Sequence, residues 1–274
     1  MNRHQRLGHA MAQSTKHEEE TAILDGFDDE GDQYESIDEF WALTDERHWY
    51  RTLSDYWKDR EANIDDMLGG MSKQIHKIDI LTSIEIVNHY WPKHRQKNGA
   101  KTKQQGHVQR VRALDCGAGI GRVTESVLGP RFDRVDLIEI NPDFCRECVR
   151  RIGKQKYFGK IMAKSLHKVT LKTDYYHCIW CQWTLEHLTE EDLLSFLKQC
   201  KRALKRSSGY SYCVFKENVC RNNLFYVNTE GSSIIRHQTV FEDLFERAGL
   251  NVVDVLDQNG FPKDLWPQKI FVLN

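Results

Sequence analysis

The sequence predicts an α/β protein with a mostly parallel seven-stranded sheet, an antiparallel last strand and helices on both faces. From about residue 111 onward, short apolar runs alternate with amphipathic stretches, which is the pattern of successive βα units. A glycine-rich turn follows the first of these runs. The last two runs flank Asn259-Gly260, a turn signal that favours antiparallel pairing of the strands on either side.

Seven runs have the length and composition of strands. They span residues 111–116, 134–140, 158–164, 176–181, 210–216, 252–256 and 269–273. Thr189 is the expected N-cap of the clearest helix, because Asp192 follows three residues later and apolar residues then recur at helical spacing. A further helix over 239–248 ends at Gly249, and two more are expected before the sheet, over 53–60 and 78–91.

Composition restricts the class of protein. The chain has 274 residues, with 39 Lys or Arg, 40 Asp or Glu and 40% hydrophobic residues, which is enough apolar material for a large core. No apolar run approaches the roughly 20 residues of a membrane-spanning helix, so we expect no membrane association. Eight cysteines without a secretion signal indicate reduced thiols in the cytoplasm or nucleus.

The near-zero net charge conceals an asymmetry between the two ends. Residues 1–48 carry 13 acidic and 4 basic residues, which predicts a disordered acidic tail, although a local helix around 37–41 is compatible with docking. The predicted domain is 49–274, with a helical extension over 49–91 and an exposed basic loop over 92–110. Because this loop lacks interleaved aromatic residues, we expect no nucleic-acid partner.

The most informative motif is the turn over residues 114–122, directly after the first predicted strand. Gly117, Gly119 and Gly121 allow a tight turn that brings the backbone close to a ligand. A dinucleotide-binding turn would place glycine where Arg122 stands, whereas a cation there is able to pair with a ligand carboxylate. The alternatives are a nicotinamide oxidoreductase, against which Arg122 argues, and a tight turn without any ligand.

Further ligand contacts are expected where the next strands end. Glu139 ends the second strand, 24 residues after Asp115, and a carboxylate there accepts hydrogen bonds from both hydroxyls of a ribose. Leu166 and His167 follow the third strand, where adenine would lie. Gln182 ends the fourth strand and offers an amide to the amino-acid end of the ligand. Together these features are typical of class I S-adenosylmethionine-dependent methyltransferases.

Beyond the donor site, the chain resembles the protein α-N-terminal methyltransferases, which act on proteins beginning Xaa-Pro-Lys or Xaa-Pro-Arg. The resemblance covers about residues 49–274 and implies the Rossmann-like class I fold. It is carried by seven segments: Tyr56-Trp57-Lys58, Asp66-Met67-Leu68-Gly69-Gly70, LDCGAGIGRV (114–123), IWCQWTLEHLT (179–189), LKQCKRALK (197–205), FKENV (215–219) and Ser232-Ser233.

The resemblance implies a role for each matching residue. The methyl donor, S-adenosylmethionine, and its product S-adenosylhomocysteine would be held by Gly117, Gly119, Arg122, Glu139, Leu166, His167 and Gln182. Trp57 and Trp183 would line the peptide channel and pack the second-position proline, and Leu68-Gly69 would border its entrance. Asn218 would bind the first substrate residue, with His187 near the target amine. A nuclear or cytoplasmic location is also implied.

The chain departs from the family where the family carries two acids for the basic third residue and for proton removal. Gly231 stands immediately before the Ser-Ser pair, and Asn228 stands three residues earlier. Glu230 is the nearby carboxylate in this stretch. The expected proton acceptor is therefore His187, Glu230 or water, and substrate preference is less defined than the reaction type.

Each of these residues also has a purely structural interpretation, as core aromatic, helix cap or turn former. The pairs Cys145/Cys148 and Cys178/Cys181 have the spacing of zinc ligands. Cys178 and Cys181 fall in a predicted strand, where residues three apart point to opposite faces, so we expect no metal site. Two other functions stay open: a class I methyltransferase with another acceptor, and a donor-binding interaction module that has lost catalysis.

Overall fold

The computed structural model describes residues 25–91 and 110–274. The predicted basic loop and residues 1–24 of the predicted tail therefore lie almost wholly outside the described residues. Before the main sheet, residues 25–91 form two short strands and four helices: β1 (Gly26–Asp28), β2 (Gln33–Tyr34), α1 (Ile37–Leu43), α2 (Glu46–Lys58), α3 (Ile64–Met67) and α4 (Ser72–Tyr90). No helix within these described ranges has the length and apolar character needed to cross a membrane.

The main sheet has the seven strands that the sequence predicts. They are β3 (Arg112–Cys116), β4 (Arg134–Glu139), β5 (Phe158–Ala163), β6 (Cys178–Gln182), β7 (Tyr212–Asn218), β10 (Val252–Asp257) and β11 (Gln268–Leu273). Their order is β10-β11-β7-β6-β3-β4-β5. Strands β5, β4, β3, β6 and β7 pair in parallel, whereas β11 runs antiparallel to both of its neighbours. The predicted α/β fold with an antiparallel last strand is confirmed.

Helices cover both faces of this sheet, because each buries one apolar stripe against it. On one face lie α6 (Glu190–Ala203) and α7 (Gln238–Arg247), and on the other lies α4. The helix α5 (Pro142–Ile152) follows β4. The predicted cap of α6 is confirmed, since the Thr189 hydroxyl accepts a hydrogen bond from the Asp192 amide at 3.2 Å. Gly249, with φ of +73°, follows α7 as predicted.

The prediction of a disordered tail up to residue 48 is wrong for residues 26–48. Strand β1 joins a second, four-stranded sheet, pairing in parallel with β8 (Phe225–Asn228), which also pairs with β9 (Ser233–Ile235). Phe40 and Trp49 are buried against Phe225 in a separate apolar cluster. Most of the acidic side chains stay exposed, so burial of these aromatic residues outweighs the charge repulsion that the composition suggests.

Removing the Phe40 ring should weaken the docking of this N-terminal segment. Phe40 is 4% exposed and contacts the rings of Tyr34 and Trp49. Phe40→Ala is therefore expected to lower the free energy of unfolding by about 3–5 kcal/mol, or to release the segment to limited proteolysis. The matched control is Leu43→Ala on the same helix, because Leu43 is 72% exposed. Equal urea midpoints and equal protease resistance in the two variants would contradict the docking.

Candidate active site

The glycine turn after β3 has the geometry that close ligand approach requires. Gly117, Gly119 and Gly121 have φ values of +67°, +55° and +81°, a region that only glycine adopts without strain. A Cβ atom on Gly119 would lie 1.8 Å from Cε of Met67. The Met67 sulfur also lies 3.5 Å from the Ile120 amide, so the end of α3 packs directly over the turn.

Glu139 closes the turn from the end of β4. Its Oε2 accepts a hydrogen bond from the Gly119 amide and its Oε1 accepts one from the Asn141 amide, both at 2.8 Å. Burial raises the pKa of Glu139, opposed by these backbone N–H groups. Each carboxylate oxygen retains a lone pair for a further donor. The turn and Glu139 thus fit the ribose of a nucleoside, as the sequence predicts.

A buried polar network lies beside the turn, centred on Asp79 of α4. Asp79 accepts hydrogen bonds from Arg122 at 2.5 Å and from Gln182 at 2.8 Å, and it forms an ion pair with Lys216 of β7. Asp79 and Lys216 have no exposed surface, and Arg122 is 4% exposed. Although burial opposes ionisation, the charges of Lys216 and Arg122 hold the pKa of Asp79 below its ordinary value.

Two cations of the network, Arg122 and Lys216, share the carboxylate of Asp79, and the Arg122 guanidinium also lies 5.5 Å from the Trp183 ring centre. Arg122 also acts on a second buried carboxyl, that of Asp115: burial raises the pKa of Asp115 to about 6, and the charge of Arg122 opposes this rise. The contact of Arg122 and Gln182 with the amino-acid end of a methyl donor stays a prediction, because Asp79 is the partner of both residues within the chain.

The residues predicted to contact adenine lie one strand further along the sheet. Leu166 and His167 form a short helical turn after β5, whose end pairs with the end of β4 at Glu139. The His167 ring stacks on Tyr50 of α2 with ring centres 3.8 Å apart, and its Nδ1 lies 2.6 Å from the Ser165 hydroxyl. This turn therefore closes the same strand edge as Glu139, and α2 covers it.

The residues predicted to handle the peptide converge at the ends of β6 and β7. The His187 Nδ1 lies 2.9 Å from the Ser232 carbonyl oxygen, whereas its Nε2 is buried without a partner among the described residues. The Trp57 ring stands perpendicular to the His187 ring, with 6.0 Å between ring centres. Asn218 donates a hydrogen bond from Nδ2 to Oε2 of Glu186 at 3.3 Å.

Two non-glycine residues of this region have left-handed backbone conformations. Trp183 has φ of +52° and Ser232 has φ of +44°. Such conformations cost on the order of 1–3 kcal/mol each and cluster at functional sites. The Trp183 indole nitrogen is also buried without a hydrogen-bond partner in the described part of the chain. Both residues flank His187, so this backbone strain supports a binding role for the region.

The hairpin that joins β8 to β9 carries Glu230, the carboxylate that the sequence offers as a proton acceptor. Glu230 is exposed and forms no ion pair within residues 25–91 and 110–274. Asn228 instead accepts a hydrogen bond from the Gly231 amide at 2.6 Å, and Asp29 accepts one from the Thr229 amide at 2.9 Å. Leu68 and Gly69 lie at the end of α3, next to Met67 over the glycine turn.

Sequence reasoning missed Asp79, Glu186 and Asp29. Asp79 had a visible signal, because it is an acidic residue between Ile78 and Ile80 in a predicted helix. An acid in such an apolar stretch is a candidate for burial and then needs a partner. Glu186 lies inside a segment that the resemblance already singled out. Asp29 had no signal, because the predicted tail gave no reason to place it beside residues 228–229.

The doubly wound sheet, the glycine turn with Glu139 and the polar groups at adjacent strand ends define the class I S-adenosylmethionine-dependent methyltransferases. A family model described as AdoMet dependent proline di-methyltransferase matches residues 45–274, and the chain belongs to that family. The chain is 33% identical over 259 residues to an alpha N-terminal protein methyltransferase 1 from Arabidopsis thaliana, with 90% of each protein covered.

Two further similarities agree with this assignment. A human protein named N-terminal Xaa-Pro-Lys N-methyltransferase 1 is 31% identical, with 85% of this chain and 98% of that protein covered. A solved structure of a SAM-dependent methyltransferase from Leishmania major superposes with a TM-score of 0.79 and 31% identity, covering 95% of this chain and 100% of that chain. The predicted enzyme class and its methyl donor are confirmed.

Neutralising Asp79 should destabilise the protein strongly. Asp79→Asn removes the buried carboxylate that Lys216 and Arg122 share, so we expect the free energy of unfolding in urea to fall by about 3–5 kcal/mol. Asp257→Asn is the control, because Asp257 pairs with Lys269 but its side chain is 63% exposed, and such pairs contribute about 0–1 kcal/mol. Similar losses in both variants would show that the Asp79 network is not a principal source of stability.

Proposed function

We propose that the protein transfers methyl groups from S-adenosylmethionine to the free α-amino group of proteins that begin Xaa-Pro-Lys or Xaa-Pro-Arg. Relatives whose names state an N-terminal Xaa-Pro-Lys substrate match over most of their length. The observation that carries the proposal is the convergence of Trp57, His187 and Asn218 beside the donor turn. We further propose that Gly117, Gly119, Arg122, Glu139, Leu166, His167 and Gln182 hold the donor, and that Trp183, Leu68 and Gly69 border the peptide.

Methyl transfer to an amine requires mainly that the protein position the two reactants. When bound, the sulfonium donor supplies an electrophilic methyl group. The protein must hold the amine nitrogen in line with the methyl carbon and sulfur, and such orientation supplies on the order of 7–11 kcal/mol of the barrier. Trp57 and Trp183 orient the peptide by packing against its second-position proline. Asn218 orients the first residue through its side-chain amide.

Proton removal also suits an α-amine. With a pKa of about 7.7–8.0, an α-ammonium costs roughly 1–1.4 kcal/mol to deprotonate at pH 7, compared with about 4–5 kcal/mol for a lysine side chain. In neutral His187, Nδ1 faces the Ser232 carbonyl oxygen and so carries the hydrogen, which leaves the Nε2 lone pair free to accept a proton. We propose His187 as the acceptor, with exposed Glu230 as the secondary candidate.

The proposal includes a cellular setting. The substrates are proteins with exposed N-termini, without a nucleic-acid or membrane partner, and the location is the cytoplasm, the nucleus or both. The reduced state expected for the eight cysteines supports this setting, since all eight are free and buried.

A peptide panel tests the reaction. With S-adenosylmethionine, mass spectrometry should show added methyl groups on Xaa-Pro-Lys and Xaa-Pro-Arg peptides and none on the same peptides with an acetylated N-terminus. Xaa-Pro-Gln peptides should react more slowly, because they lack the basic third residue. Methylation of acetylated peptides at lysine would assign a different acceptor. Binding of the donor without turnover on any free N-terminus would favour the interaction module.

Replacing Asn218 should separate peptide handling from donor binding. Asn218→Ala removes one polar contact to the peptide, so kcat/KM for an Xaa-Pro-Lys peptide is expected to fall about tenfold or more. The affinity for S-adenosylhomocysteine, measured by calorimetry, should stay within about twofold, because Glu139 and the glycine turn are untouched. Asn251→Ala is the control, because Asn251 is exposed and lies immediately before β10. Equal losses of turnover and donor affinity would refute the assignment.

A further inference from the structure

A further acidic residue, Glu186, lies beside Asn218. It lies in the short helical turn Leu185–His187 between β6 and α6, and its side chain is partly exposed. Its Oε2 accepts the hydrogen bond from Asn218 at 3.3 Å. Among the described residues it forms no ion pair with Lys or Arg. The turn therefore presents a carboxylate without a counter-charge beside the amide proposed to bind the first substrate residue.

A second carboxylate lies beneath the same turn. Glu217 is fully buried, and its Oε1 accepts hydrogen bonds from the amides of Thr184 at 3.1 Å and Leu185 at 3.0 Å. Its Oε2 has no partner in the described part of the chain. Burial, followed by the charge of Glu186, raises the pKa of Glu217 to about 8. At neutral pH Glu217 therefore mostly keeps its proton.

The neighbouring polar atoms also have unused hydrogen-bonding capacity. His187 Nε2 and Trp183 Nε1 are buried without partners among the described residues, in the same turn region as Glu186. Buried polar atoms are nearly always paired in folded proteins, so several such atoms at one strand edge indicate a polar ligand. Arg236 reaches this turn, but its guanidinium donates to the Leu185 carbonyl at 3.3 Å, to the Leu188 carbonyl at 2.6 Å and to Glu190 at 2.6 Å. Its ion pair is thus with Glu190, whereas Glu186 forms none among the described residues.

We propose that Glu186 binds the α-ammonium group of the substrate and, with Asn218, selects proteins with a free N-terminus. This inference rests on the proposed function and adds a specificity-determining residue to it. A carboxylate forms its strongest hydrogen bonds with a charged donor, and an α-ammonium is such a donor before it loses its proton. Asn218 would contact the same substrate residue from the end of β7, so both groups converge on one end of the peptide.

The position of Glu186 matches the first substrate residue better than the third. An extended chain advances about 3.3–3.6 Å per residue, so the third-residue side chain begins roughly 7 Å beyond the first. Glu186 is within hydrogen-bonding distance of Asn218, the residue assigned to the first position. The exposed carboxylate of Asp29 contacts Asn228 and Thr229 in the hairpin, and within residues 25–91 and 110–274 neither Asp29 nor Glu230 has a hydrogen bond to Asn218.

The test is a thermodynamic cycle between the enzyme and the peptide. Glu186→Gln keeps the size of the side chain and its acceptor for Asn218 but removes the charge. Calorimetry with saturating S-adenosylhomocysteine would measure the affinities of two peptides: Xaa-Pro-Lys, and a des-amino form in which hydrogen replaces the α-amino group. Glu186→Gln is expected to lower the affinity for the first peptide by about 10- to 100-fold and for the second by less than about twofold. Glu191→Gln, an exposed acid in the first turn of α6, should change neither affinity.

Three results would overturn the inference. An equal loss of affinity for both peptides in Glu186→Gln would show that Glu186 only shapes the pocket. If Glu186→Gln lowered the affinity for the Xaa-Pro-Lys peptide but not for an Xaa-Pro-Gln peptide, Glu186 would bind the third residue. If the difference in affinity between the two peptides were lost in Glu230→Gln but kept in Glu186→Gln, the ammonium contact would belong to the hairpin. The proposed function fails separately, if the wild-type enzyme methylates no free N-terminus.

Discussion

The buried ion pairs of Asp79 are the interaction on which the rest of the site depends. They join α4, which precedes the sheet, to Lys216 on β7 and to Arg122 at the end of the glycine turn. A charge buried in this way costs several kcal/mol unless it is paired, so the three residues must stay together whenever the protein is folded. Gln182 is oriented by the same carboxylate at 2.8 Å. This polar strand edge is thereby assembled as a consequence of satisfying one buried charge.

Charged groups of both signs lie close together along this strand edge. Arg122 and Lys216 pair with Asp79, and the buried carboxyls of Asp115 and Glu139 flank the glycine turn. Asp115 accepts a hydrogen bond from the Thr124 hydroxyl, and Glu139 accepts hydrogen bonds from the amides of Gly119 and Asn141. These groups are thus held by partners of the chain itself at the carboxyl ends of adjacent strands, where a doubly wound sheet binds its ligands.

The segment before the sheet completes the site and does not merely precede it. The Trp49 indole donates a hydrogen bond to the His187 carbonyl at 2.9 Å, and the Trp57 carbonyl accepts one from Asn141 at 2.7 Å. Met67 packs on the glycine turn, and β1 extends the small sheet that carries the hairpin next to His187. The turn that carries His187, the cover over the glycine turn and the hairpin are thus connected to one folded N-terminal region, which links the geometry of this strand edge to the stability of that region.

The sequence by itself determined the α/β class, the seven strands, the antiparallel ending, the glycine turn with Glu139 and the enzyme family. These depend on local signals, such as hydrophobic periodicity, glycine placement and residues at strand ends, which act over a few neighbouring positions. Only the tertiary structure decided that Asp79 holds Arg122, that residues 26–48 fold against β8, and that Glu186 meets Asn218. Each of those contacts joins residues 32 or more positions apart, and burial and charge pairing at such a distance depend on how the elements pack.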